Sequence, residues 1–353
     1  MTTDSSGKSS EATDSGERLP LAAVPWVTRA MACVLLKLRD KACRRNGTIN
    51  RRLINIIDFK SPPTRKPDVK GISSSDVTID PSRKLWFRLF TPTASTTASS
   101  SSLPLIVYFH GGGFATMSAA SRPYDAFCRR LASELSAIVA SVEYRLSPEH
   151  RFPSQYEDGF DALRFVAENS ATLLPENADL SRCFLAGDSA GGNLAHHVVV
   201  RVAQSKLEGV KIRGLIAFQP FFGGTEQTES EIRNKKAPLL NVALADWFWR
   251  AFLPEGADRD HGAANVSGPN AVDISVLAEF PATMVIAGGM DPLHDWQVKY
   301  YEWLKRSGKE AELVYYPNMV HGFYGFPELL DATQLLSKVK DFVTRRSLNQ
   351  MSE

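Results

Sequence analysis

Residues 187–191 read Gly-Asp-Ser-Ala-Gly, and the run His110-Gly111-Gly112-Gly113 lies upstream of them. The first segment is a Gly-x-Ser-x-Gly turn, which lifts Ser189 out of the backbone between a strand and a helix. The second is a loop whose amides can face the same point in space. A nucleophile and an anion cradle are the two things acyl transfer requires. The amides expected to hold an oxyanion are those of Gly112, Gly113 and Ala190, with Gly111 shaping the loop. Glycine suits such a loop because a Cβ would block close approach of backbone to substrate.

A serine hydroxyl is a weak nucleophile near neutral pH and needs a neighbouring base. Histidine serves because an unperturbed pKa of about 6.5 leaves it mostly neutral yet able to take a proton. Of the seven histidines, His110 belongs to the glycine loop, and His196 and His197 lie inside the helix expected after Ser189. His150 and His261 sit in polar loops, and His294 opens a helix. His321 differs: it follows a strand ending Tyr315-Tyr316-Pro317 and lies in the loop Asn318-Met319-Val320-His321-Gly322-Phe323. It is the expected base. Asp291 comes directly after the strand Met284–Ala287 and Gly288-Gly289-Met290, and is the expected partner that fixes the imidazole tautomer. Asp295 is the fallback, a helical turn further on. Asp188 is expected to support the serine turn by hydrogen bonding.

These side chains need a scaffold that brings strand ends together. Apolar runs at Leu105–Phe109, Ile138–Val142, Cys183–Ala186, Leu215–Phe218, Met284–Ala287 and Glu312–Tyr316 alternate with helical patterns at 125–136, around Tyr156 and Phe160, at 198–202 and around Leu335 and Phe342. Runs too continuous for one-sided burial predict a mostly parallel sheet with helices on both faces. Asp76–Asp80 and Leu85–Phe90, around Pro81-Ser82-Arg83-Lys84, predict an antiparallel hairpin. Thr91–Ser102 is a Ser/Thr/Ala-rich loop. Between 222 and 271 the alternation lapses. An insertion there projects over the strand C-terminal ends, where ligands bind in this topology, and it carries the helical stretch Val242–Phe252.

Before the strands, Val27, Met31, Val34, Leu35, Leu38 and Ala42 recur at helical spacing after Pro25, and Leu53, Ile54 and Ile57 suggest a second short helix. This arm either packs on the core or covers a binding site. Trp26, Met31, Trp247, Phe248 and Tyr324 are the candidates for an apolar, aromatic pocket lining. The expected division is a disordered tail at 1–18, a helical lid at 19–60, the main domain at 61–347 with its insertion, and a tail at 348–353.

An apolar fraction of 43% with 23% charged residues is ordinary for a soluble globule. A net charge of +2 without a dense basic block argues against a nucleic-acid partner. Four scattered cysteines argue against a disulfide framework or a zinc site. The Leu19–Leu38 stretch is interrupted by proline and charge, so no membrane span is expected. No signal peptide is legible, which points to the cytoplasm or nucleus. Neither metal nor organic cofactor is implied; the expected partner is a small-molecule ester substrate, and the residues name no protein partner.

Together, His110-Gly111-Gly112-Gly113-Phe114, Tyr144-Arg145-Leu146-Ser147-Pro148-Glu149-His150 and Gly187-Asp188-Ser189-Ala190-Gly191-Gly192-Asn193 resemble the hormone-sensitive-lipase-like branch of the α/β-hydrolases. The order Ser189, Asp291, His321 is that of this fold. Within the branch the chain looks like a plant carboxylesterase, and the resemblance implies a serine esterase with a Ser-His-Asp triad. The chain is also similar to the gibberellin receptors, through Asn46–Leu53, Phe222–Glu226 and Ala251–Gly256. That likeness implies an N-terminal lid folded over the pocket. The receptors lack the catalytic histidine, where this chain has His321. They carry charged hormone-contacting residues where this chain has Leu244-Ala245. A third likeness, to hydroxyisoflavanone dehydratases, implies threonine in the nucleophile position, where Ser189 stands here.

Overall fold

A computed structural model describes residues 23–93, 102–205 and 207–348. The 1–18 tail, most of the Ser/Thr/Ala-rich loop and nearly all of 348–353 lie outside the described residues. Eight strands, β1 (Ile72–Asp80), β2 (Leu85–Pro92), β3 (Leu103–Phe109), β4 (Ile138–Glu143), β5 (Ala178–Asp188), β6 (Ile212–Phe218), β7 (Ala282–Gly288) and β8 (Ala311–Tyr316), form one sheet in the order β1-β2-β4-β3-β5-β6-β7-β8. The β1–β2 and β2–β4 pairs are antiparallel and all other pairs parallel. This is the α/β-hydrolase fold.

The hairpin starts earlier than expected, at Ile72. Its first turn of strand, Ser73-Ser74-Ser75, has no apolar alternation to read, and Ser74 is buried because its Oγ accepts a hydrogen bond from Thr64 N (2.8 Å). Central strands behave differently. Every residue of β3 is buried. Leu105, Val107 and Phe109 join a core completed by α4 (Ser154–Leu173) and α5 (Ala190–Ser205). Ile106 and Tyr108 face α3 (Arg122–Leu135) and α9 (Leu330–Leu348) on the other side. Helices on both faces explain why the sequence there is uniformly apolar.

Between β6 and β7 lie α6 (Glu229–Arg233) and α7 (Val242–Phe252), and α8 (His294–Arg306) follows β7. The N-terminal arm consists of α1 (Trp26–Ala42) and α2 (Arg51–Ile57). Here the expected inward face needs correction. Val27, Met31 and Val34 are 54, 56 and 57% exposed, and only Ala42 of α1 is buried. A helical period marks an apolar stripe but says nothing about what covers it. The firm attachment is made by α2. Arg51 donates to Ala115 O (2.5 Å), Ser147 O (2.5 Å) and Glu149 Oε1 (2.9 Å), so one guanidinium joins the arm to two loops of the main domain. No helix among the described residues is long and apolar enough to cross a membrane.

His196, in α5, is 2% exposed and contacts the Tyr300 hydroxyl at 3.0 Å. Burial pushes its pKa well below the usual histidine value, helped by neighbouring His197. The folded state therefore refuses a proton that the unfolded chain accepts below about pH 6.5, so this residue makes stability fall as pH drops. Replacing His196 with Gln is expected to flatten the slope of unfolding free energy against pH between about 6 and 4.5. The change should approach 1.4 kcal/mol per pH unit, read from denaturant titrations. An unchanged slope would mean that His196 is not held neutral.

Candidate active site

Ser189 sits between the last residue of β5 and the first of α5, with φ 52°. A non-glycine residue in this left-handed region is strained and persists only where its surroundings over-determine it. They do so here. Ser189 N donates to Phe218 O (2.9 Å), and Ser189 O accepts from Phe221 N (2.8 Å) and Gly192 N (3.0 Å). The flanking glycines are dictated by space. A Cβ on Gly187 would lie 2.2 Å from Gly191 O, and one on Gly191 would lie 1.9 Å from Phe109 O. The serine is 7% exposed.

Asp291 and His321 follow β7 and β8, so all three candidate residues lie beyond the C-terminal ends of their strands. His321 Nδ1 is 2.7 Å from Asp291 Oδ2. With the carboxylate as acceptor, the proton is assigned to Nδ1, which leaves Nε2 as the basic nitrogen. Asp291 is fully buried. Its Oδ2 also accepts from Gln297 Nε2 (2.8 Å) and Gln219 Nε2 (3.0 Å), and Oδ1 accepts from Leu293 N (2.9 Å). Asp295, the fallback, is engaged elsewhere: its Oδ2 accepts from Ser230 N at 2.7 Å, at the start of α6.

The glycine loop is held from below by Asp188. Its carboxylate accepts from Tyr108 (2.7 Å), Tyr124 (2.8 Å), Tyr324 (3.0 Å) and Gly111 N (2.8 Å). Burial pushes the Asp188 pKa up; the three tyrosine hydroxyls and the nearby His321 charge pull it back. His110 completes the support. Its Nδ1 lies 2.8 Å from Gly111 O, its ring stacks on Tyr144 at 4.3 Å, and burial pushes its pKa down to about 3, so it stays neutral. Gly112 and Gly113 have φ 104° and 62°. The amides of Gly112, Gly113 and Ala190 meet no acceptor among the described residues. Free donors at a strained turn and the N-terminus of α5 suit an anion.

The aromatic candidates divide. Phe248, 3% exposed, packs on the glycine loop so closely that a Cβ on Gly113 would meet its ring at 2.1 Å. Trp247 is also buried, and its Nε1 donates to Arg44 O (2.7 Å), joining α7 to the arm. Tyr324 is buried with its hydroxyl committed to Asp188. Trp26 and Met31 are 72 and 56% exposed, so neither is enclosed. Sequence reasoning missed Gln219, Gln297, Tyr108 and Tyr124. All four lie in strands, at strand ends or in helices where nothing but the fold reveals that they converge.

The described geometry has a counterpart among known proteins. A sequence profile of the alpha/beta hydrolase fold matches residues 106–325. The chain belongs to the α/β-hydrolase family. Within the family it is similar to the gibberellin receptor GID1C of Arabidopsis thaliana, 41% identical over 311 residues, covering 85% of this chain and 88% of that one. It is also similar to Carboxylesterase 20 of Arabidopsis thaliana, 35% identical over 308 residues, covering 84 and 93%. Among solved structures it resembles a hyperthermophilic esterase from the archaeon Pyrobaculum calidifontis, with a TM-score of 0.69 and 26% identity, covering 92% of this chain and 99% of that one.

The contact between Gly113 and Phe248 can be tested in this α/β-hydrolase-family protein by a double-mutant cycle. Gly113→Ala is expected to destabilise through both the ring clash and the positive φ, and Phe248→Ala by about 3–5 kcal/mol through lost packing. The double variant should lose less than the sum of the two, because removing the ring relieves the clash. Strict additivity in chemical denaturation would show that α7 does not press on the loop.

Proposed function

We propose that this α/β-hydrolase is a serine carboxylesterase acting on small to medium esters. The observation that carries the reading is the 2.7 Å contact between His321 Nδ1 and the buried Asp291 carboxylate, with Ser189 on the strained turn that follows β5. In the proposed reaction His321 Nε2 takes the Ser189 proton as Oγ attacks the ester carbonyl. Asp291 holds the imidazole in the required tautomer and stabilises the imidazolium that forms. The amides of Gly112, Gly113 and Ala190 receive the tetrahedral oxyanion. His321 returns the proton to the leaving alcohol, and water then releases the acyl group by the same steps in reverse. The arm, described from residue 23 to 60 and fastened by Arg51 and by the bond from Trp247 to Arg44 O, serves in this reading as a lid.

Ser189→Ala is expected to lower hydrolysis of nitrophenyl acetate by about 10⁴-fold or more, because the three groups act as a unit. His321→Val should cost a similar amount. Steady-state assays on both variants check this, and turnover surviving either change would show that another residue carries the chemistry.

A second reading, a non-hydrolytic hormone binder, is favoured by the 41% identity to a gibberellin receptor. Against it stands the intact His321–Asp291 contact, which binding alone does not require. Calorimetry with gibberellin should show no micromolar binding; a tight isotherm together with absent turnover would favour the binder.

A further inference from the structure

One buried residue outside the proposed triad touches the Asp291 carboxylate and both chain neighbours of His321. Gln219 follows β6 with φ 42° and is fully buried. Its backbone N–H donates to Ile286 O of β7 (3.0 Å), extending the sheet ladder by one step beyond the strand. The side chain then reaches two neighbours at once. Nε2 donates to Asp291 Oδ2 (3.0 Å) and to Val320 O (3.2 Å), and Oε1 accepts from Gly322 N (2.7 Å). The amide orientation follows from its partners, since a carboxylate and a carbonyl need donors while a backbone N–H needs an acceptor.

Val320 and Gly322 are the residues on either side of His321. A single carboxamide therefore grips the peptide carbonyl before the base and the peptide N–H after it, while its remaining hydrogen holds the oxygen that accepts His321 Nδ1–H. Space for this grip is made by Gly288, where a Cβ would lie 2.5 Å from Gln219 Nε2 and 2.6 Å from Met319 O. The same residue is linked to the nucleophile. Its predecessor, Phe218, accepts the hydrogen bond from Ser189 N.

We propose that Gln219 is the positioning residue of the active site, a bidentate bracket that sets the His321 backbone and the Asp291 carboxylate in one frame. This rests on the esterase reading. No other side-chain type of this size satisfies all three partners. Leucine satisfies none, and glutamate keeps at most the Gly322 bond and one donation. A misplacement of the base by about 1 Å can cost 100-fold in rate. Losing this donor from Asp291 also leaves more uncompensated negative charge facing the imidazole, which favours its protonated form.

The test combines kinetics with proton NMR of the His321 Nδ1–H, on wild type, Gln219→Leu and Gln219→Glu. For Gln219→Leu, kcat on nitrophenyl acetate should fall about 100-fold with KM little changed. The acid limb of kcat/KM should move to higher pH, and the downfield Nδ1 proton should broaden or vanish. Gln219→Glu keeps the length and the Gly322 acceptor but sets a second buried carboxyl against Asp291; it should lose at least about tenfold in kcat. Kinetics per folded site, an acid limb and a resonance all matching wild type in either folded variant would overturn the bracket. Were wild type to hydrolyse no ester, the functional reading alone would fail. The resonance would still decide the bracket, its loss in the variants supporting it and its persistence ending it.

Discussion

A methyl group on Gly191 would sit 1.9 Å from the carbonyl oxygen of Phe109, and that closeness organises everything else at this edge of the sheet. It wedges the β5–α5 turn against the end of β3, where the glycine loop begins. Ser189 is then forced into a left-handed conformation, and its amide is tied to the end of β6. The next residue along that strand end, Gln219, grips the loop after β8. Four parallel strand ends are thereby linked through short-range contacts. A larger residue at the turn would separate Ser189 from the glycine loop.

Two buried carboxylates divide the remaining work, and their surroundings explain why they are not interchangeable. Asp188 is next to Ser189 in sequence, yet three tyrosine hydroxyls and the Gly111 amide occupy its oxygens. Its function is to hold the glycine loop, the loop after β8 and the serine turn together. Asp291 is surrounded by neutral amides and one imidazole. Neutral donors fix its position without supplying a countercharge, which leaves its negative charge available to stabilise a protonated His321.

How much of this could be read from residues alone depended on whether the signal was local. The strands buried on both faces were legible as continuous apolar runs, and α7 over Val242–Phe252 was legible from its composition. The serine turn was legible because the steric limit on Gly187, set by the carbonyl of Gly191, acts within five residues. The places of Asp291 and His321 after β7 and β8 were legible because each directly follows a strand signal. Gln219 and Gln297 could not, since a buried glutamine has no local pattern and its partners lie 72 and 6 residues away for the bonds to Asp291. The inward face expected of α1 was misjudged for a related reason. The apolar period of α1 was real, but exposure of Val27, Met31 and Val34 is set by which elements pack nearby.

The central claim is that Ser189 is an activated nucleophile whose base is His321. A serine-directed organophosphonate reports this without a choice of natural substrate, because the hydroxyl attacks phosphorus, expels the leaving group and remains covalently labelled. Intact-mass and peptide mass spectrometry of the treated wild-type protein should show one adduct, on the peptide containing Ser189, forming more slowly as pH falls below the histidine range. An unlabelled Ser189 in folded protein, or an adduct confined to another residue, would contradict the account.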